Sequence, residues 1–134
     1  MITKAHRKMQ EIEHNIQVAC VNWFKYQFPQ YVIFAVPNGG KRQHRTVYRN
    51  GAPVTYSAVA QKLKDEGALA GVADLVIVAN KRVIFIEMKA PKGKQQDTQK
   101  VFERNVTRLG HPYYLCHSLE EFMACVKSEL YVKK

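Results

Sequence analysis

Asp74, Glu87 and Lys89 have the types and spacing to gather charge at one point. They sit within Gly71-Val-Ala-Asp-Leu-Val-Ile-Val-Ala-Asn-Lys-Arg-Val-Ile-Phe-Ile-Glu-Met-Lys89. That run reads as two β-branched strands, over 74–78 and 83–89, joined by a tight turn at Asn80-Lys81, where Asn suits the left-handed conformation that hairpin turns need. Counting outward from the turn sets Ala79 opposite Arg82, Val78 opposite Val83 and Asp74 opposite Glu87. Opposed residues of an antiparallel pair share a face, with Cβ atoms about 5 Å apart. The period-2 alternation returns Lys89 to that face. Two carboxylates and an ammonium therefore converge at one end of an apolar hairpin. Opposed like charges need a cation between them, and a hard divalent ion held by oxygen ligands meets that need. The plainer reading makes Asp74 a strand cap and Glu87 and Lys89 a solvated stripe. The nearly continuous apolar runs at 75–78 and 83–86 favour a hairpin covered on both faces, where charge at its end is costly.

Two helices carry further polar groups on or beside their apolar faces. Residues 6–28 read as one long helix whose buried stripe is Ile12, Ile16, Ala19, Cys20, Trp23 and Phe24, with Pro29 ending it. At about 100° per residue, Glu13 falls inside the stripe, Gln17 on its edge and Glu11 on the far side. A carboxylate at Glu13 either finds a partner (lysine, backbone or metal) or reaches past the stripe to solvent. A second helix over 97–109, closed by Gly110, carries Phe102, Val106 and Leu109 on its apolar face, and Gln99 lies one turn before Phe102 on that side.

Around these elements the rest of the chain reads as α/β. A first strand over 31–36 is broken by Pro37-Asn38-Gly39-Gly40, and Lys41, Arg42, His44, Arg45, Tyr48 and Arg49 follow. Bare glycine backbone followed by basic residues suits contact with a nucleic-acid backbone, against the alternative of a solvated loop. A short helix over 57–66 has Ser57 as its candidate cap and Gly67 as its stop. Lys92 and Lys94, in the loop after Lys89, form a second basic stretch for nucleic acid. A last strand over 112–116 precedes Ser118-Leu-Glu-Glu121, a capping-box signature for a final helix to about Leu130. The order helix, strand, helix-bearing insertion, hairpin, helix, strand, helix predicts a mixed sheet flanked by helices.

The chain's 134 residues are expected to form one domain. An excess of 21 Lys and Arg over 11 Asp and Glu, a net charge of +10, favours a polyanionic partner. No basic amphipathic helix with an aromatic insertion face is present, so nucleic acid is expected rather than a membrane. There is neither a membrane-length apolar run nor an apolar signal core. Cys20, Cys116 and Cys125 match no metal-ligand spacing and read as buried thiols in a reducing, cytoplasmic compartment. The scattered histidines argue against zinc.

Taken together, these residues resemble a stand-alone VRR-NUC domain, a branch of the PD-(D/E)xK nuclease superfamily with a restriction-endonuclease-like core. The resemblance covers about residues 10–117. It is carried by Glu13-His-Asn-Ile-Gln17, Asn38-Gly39-Gly40, Gly71-Val-Ala-Asp74, Glu87-Met-Lys89, Gly93 with Gln99, and Leu109-Gly110. Where the family commonly has Pro before the aspartate, this chain has Ala73, which loosens a turn and removes no ligand. The resemblance implies that Asp74 and Glu87 ligate Mg²⁺ or Mn²⁺, with Glu13 binding directly or through water. It further implies that Lys89 orients or activates the attacking water and that Gln99 supports the site. The implied activity is hydrolysis of phosphodiester bonds in DNA, in branched substrates such as Holliday junctions, by a homodimer. A bacteriophage origin would fit the family. Two other classes stand beside it: a catalytically inactive nucleic-acid-binding module of the same fold, and a structural protein whose basic face binds another polyanion. Three carboxylates in one pocket would repel without the ion. Glu13→Ala is therefore expected to weaken metal affinity without lowering the stability of the metal-free protein.

Overall fold

The computed structural model describes residues 3–37 and 46–131. Helix α1 (Lys4–Gln27) leads to β1 (Val32–Ala35), followed by β2 (Thr46–Arg49), β3 (Ala52–Thr55) and α2 (Tyr56–Asp65). Then come β4 (Leu75–Ala79), β5 (Arg82–Met88), α3 (Asp97–Arg108), β6 (Tyr113–Cys116) and α4 (Leu119–Leu130). Strands β1, β4, β5 and β6 lie side by side in that order, the first three antiparallel and β6 parallel to β5. A parallel pair needs a long connection, and α3 supplies it. The central hairpin has the expected register, Ala79 with Arg82 through Leu75 with Ile86, and the next position outward sets Asp74 opposite Glu87.

Side-chain alternation divides the sheet's two faces. Leu75 and Ile77 of β4 and Ile84, Ile86 and Met88 of β5 point to one face. There they pack with Cys20, Phe24 and Phe28 from the α1 end of the chain and with Phe122 and Val126 of α4. Trp23 stands edge-on to Phe28 and Phe122, at centroid distances of 5.8 and 6.0 Å. The intervening positions face α3, whose Phe102 packs edge-on against Phe85 at 5.1 Å, with Ala73, Tyr113 and Val106 around it. Three layers result: α1 and α4, the sheet, and α3. Burial on both faces holds at the end of the hairpin near Glu87; towards the β1 side, Val32, Phe34 and Val78 stay exposed. Among the described residues, no helix is long and apolar enough to cross a membrane.

Several details depart from the sequence-based expectation, among them the exposure of Ile12 and Leu109, both expected on buried helix faces. Helix α1 starts at Lys4 rather than near His6, because Thr3 caps it by accepting from the His6 N–H at 3.1 Å. Residues 46–49, the end of the basic segment expected as a loop, instead pair with 52–55 in a separate hairpin that turns at Asn50-Gly51, both left-handed (φ 52° and 76°). Helix α2 starts at Tyr56, before the expected cap Ser57. In the central turn the left-handed residue is Lys81 (φ 62°), not Asn80. Such a conformation costs a non-glycine residue roughly 1–2 kcal/mol.

Candidate active site

The end of the hairpin gathers four buried polar side chains: Asp74 (5% exposed), Glu87 (0%), Lys89 (8%) and Gln99 (3%). Each is positioned by a different local cause. Asp74 directly precedes β4 and its carbonyl accepts from the Val36 N–H at 2.9 Å, which ties it to the end of β1. Its Oδ2 accepts from the Met88 N–H at 2.9 Å, across the hairpin. Glu87 lies in β5 on the α3 face, where Gln99 Nε2 donates to its Oε2 at 2.9 Å. Lys89 is anchored by its own N–H on the Cys116 carbonyl, 2.9 Å, which extends the β5–β6 pairing by one step. Its Nζ stands 3.7 Å from Glu87 Oε2. A buried ammonium and a buried carboxylate offset part of each other's desolvation cost.

Gln99 is in the first turn of α3, and its amide faces two ways. Oε1 accepts from the Gln96 N–H at 2.8 Å, closing the helix start, while Nε2 holds Glu87. Gly71 allows that helix start to sit this close. It is left-handed (φ 83°), and a Cβ there would fall 2.2 Å from the Thr98 carbonyl oxygen.

Glu13 arrives from α1 on the other side of the strand end, half-buried as its helical position predicts, while Glu11 is exposed. Glu13 Oε1 accepts from the Ala90 N–H at 3.2 Å. It lines a cavity of about 330 Å³ with Gln10, His14, Gln17, Asp74 and Met88. Among the described residues no three Asp, Glu, His or Cys side chains stand as a ready metal cluster. The arrangement is instead a carboxylate pair, Asp74 and Glu87, with Glu13 opening onto the same pocket as Asp74. Those donors fit a hard cation: all are oxygens, and Mg²⁺ commonly takes one or two carboxylates and fills its shell with water and phosphate. Of Glu13, Asp74, Glu87 and Lys89, three are acidic.

The hairpin register brought Asp74, Glu87 and Lys89 to one end of the sheet and the resemblance added Glu13 and Gln99; all five side chains lie there. Lys92 and Lys94 are exposed in the loop just beyond Lys89. Asn38, Gly39, Gly40, Lys41, Arg42 and Arg45 lie outside the described residues. Gln10 and His14 were missed as pocket residues, although their spacing from Glu13 and Gln17, at one helical turn, was the available signal. The backbone donors Met88 and Ala90 left no signal in residue type.

A family model described as the VRR-NUC domain matches residues 12–120. A solved structure described as a VRR_NUC domain protein is similar over 91% of this chain and 90% of its own length, with a TM-score of 0.68 and 18% identity, a likeness of fold. No curated protein matches. With the family model spanning most of its length, the chain belongs to the VRR-NUC family of nuclease-type domains.

Proposed function

We propose that the chain is a divalent-metal-dependent endonuclease that hydrolyses phosphodiester bonds in DNA, acting on branched substrates as a homodimer. The observation that supports this most directly is the burial of Asp74, Glu87 and Lys89 on one face at one strand end, with Gln99 clamping Glu87. In this reading Asp74 and Glu87 hold Mg²⁺ or Mn²⁺, and Glu13 contributes directly or through water. The ion, when bound, supplies charge neutralisation at phosphorus and a more acidic water. Lys89 Nζ, a compact donor held beside Glu87, orients the attacking water. Gln99 keeps Glu87 from rotating away, so the carboxylate is in place before substrate arrives. Lys92 and Lys94 hold substrate phosphates in this reading, a role shared by the basic residues Lys41, Arg42 and Arg45. Two copies related by a two-fold axis would suit paired cuts in a symmetric junction.

The test is cleavage of labelled four-way junctions, flaps and linear duplexes in Mn²⁺, Mg²⁺ or EDTA, with Glu87→Gln beside the natural chain. Metal-dependent cutting that Glu87→Gln abolishes while DNA binding persists is the expected result. Cutting at a comparable rate by the variant would show the site to be elsewhere. DNA binding without cutting and without divalent-ion binding would instead favour an inactive binding module.

A further inference from the structure

The loop after Lys89 is held at two points by side chains from distant parts of the chain. At its start, Glu13 of α1 accepts from the Ala90 N–H. The loop then turns on itself, Gly93 N–H to the Ala90 carbonyl at 2.7 Å. Gly93 packs closely there, since a Cβ on it would lie 3.1 Å from both the Ala90 carbonyl oxygen and Lys89 Cβ. At the far side, the ring of His117 reaches across from the segment between β6 and α4. Its Nε2 lies 3.0 Å from the Gly93 carbonyl oxygen and its Nδ1 lies 3.3 Å from Glu121 Oε1. The same Glu121 oxygen accepts from the His117 N–H at 3.2 Å. Both ring partners are acceptors, so the ring serves as a donor: one tautomer makes the Gly93 bond, and the imidazolium makes both.

We infer that His117, oriented by Glu121, is a positioning residue that fixes the Gly93 turn and so presents Lys92 and Lys94 to substrate phosphates beside Lys89. The physical case is one of entropy. Lysine side chains on an unanchored loop must be ordered on binding, and each ordered group subtracts from affinity. A turn pinned by Glu13 of α1 and by His117 after β6 has met that cost on folding. The two lysines are exposed, two residues apart, and flank the pinned glycine. His117 itself is half-buried, touches none of Asp74, Glu87 or Lys89 in the bonds above, and acts only through Gly93. The DNA part of this inference rests on the function proposed above; the ordering of the loop does not.

The experiment therefore has two arms. In the first, limited trypsinolysis of the folded protein follows cleavage after Lys92 and Lys94. His117→Ala should speed it about fivefold, the opening change expected from losing one net hydrogen bond, and His117→Gln, whose amide can donate to Gly93, should restore the slow rate. In the second, the affinity for a fluorescent four-way junction is measured in EDTA for His117→Ala in two backgrounds, natural and Lys92→Gln/Lys94→Gln. The substitution should weaken binding about fivefold in the natural background and have no further effect once the lysines are gone. A general loss of structure would weaken binding in both backgrounds and so overturn the inference, as would unchanged trypsin cleavage in His117→Ala. A loosened loop with unchanged junction affinity would also overturn it. If the natural chain binds no DNA at all, the function proposed above falls, and the second arm overturns the presentation of the lysines with it.

Discussion

Gln99 Nε2 donates to Glu87 Oε2 at 2.9 Å while Gln99 Oε1 accepts from the Gln96 N–H at 2.8 Å, so one amide fixes both a helix start and a fully buried carboxylate. Gln99→Met keeps the length and removes both bonds. It should cost about 1–3 kcal/mol in denaturant melts, since a buried acceptor loses its donor. Gln99→Glu should be worse than Met, because it brings a second carboxylate against Glu87. If Met and Glu melt alike, charge at this position is solvated and the burial of Glu87 has been misjudged.

Gly71 and Gly110 both have left-handed backbone, φ 83° and 92°, but only Gly71 faces a neighbour, the Thr98 carbonyl. Alanine at Gly110 should cost roughly 1–2 kcal/mol for conformation alone. Alanine at Gly71 should cost clearly more, because α3 must back away from the sheet and take Gln99 with it. Equal losses in thermal melts would mean that α3 moves freely.

Burial pushes the Cys20 thiol up to about 12, and burial likewise raises Cys116 and, less completely enclosed, Cys125. All three are free, with Cys116 and Cys125 sulfurs 4.0 Å apart. Iodoacetamide on the folded protein at pH 8 should therefore label Cys125 first and reach the other two only through unfolding. The sign for stability follows from linkage. Above about pH 9 the unfolded thiol ionises while folded Cys20 keeps its proton, so the unfolded state gains and stability falls from about pH 9 towards 12. Melts of Cys20→Ala should show a shallower alkaline decline; an identical slope would leave Cys20 out of it.

Much of the site was legible because it depends on counting. A two-residue turn at Asn80-Lys81 fixes which residues face each other, so Asp74 meets Glu87 whichever of the two turn residues is left-handed. The helical wheel separated Glu13 from Glu11 for the same reason. What escaped had more than one cause. The Asn50-Gly51 turn was a readable hairpin signal, but the dense positive charge before it suggested a loop. Of the capping box at Ser118, only half forms as drawn: Ser118 Oγ accepts from the Glu121 N–H, whereas Glu121 turns to His117. The hydrogen bonds from Met88 and Ala90 belong to backbone that residue types cannot report.

Glu13 is where the structure changes the expectation most. Considered as a third carboxylate in a pocket, its removal should relieve repulsion and leave the metal-free protein no less stable. In the fold its Oε1 accepts the Ala90 N–H at 3.2 Å, half-buried, and the loop that starts there is the one pinned at Gly93. Glu13→Ala removes that acceptor, so in EDTA it should lower stability by about 0.5–1.5 kcal/mol rather than raise it. Glu13→Gln keeps an acceptor oxygen and discards the charge; it should restore most of that stability and still bind Mn²⁺ more weakly. Glu11→Ala, on the exposed side of α1, should change neither quantity. Titration calorimetry with Mn²⁺ and melts in EDTA on the three variants separate the roles. Full Mn²⁺ affinity in Glu13→Gln would confine Glu13 to holding the loop, and a more stable Glu13→Ala would mean that repulsion from Asp74 outweighs the hydrogen bond to Ala90.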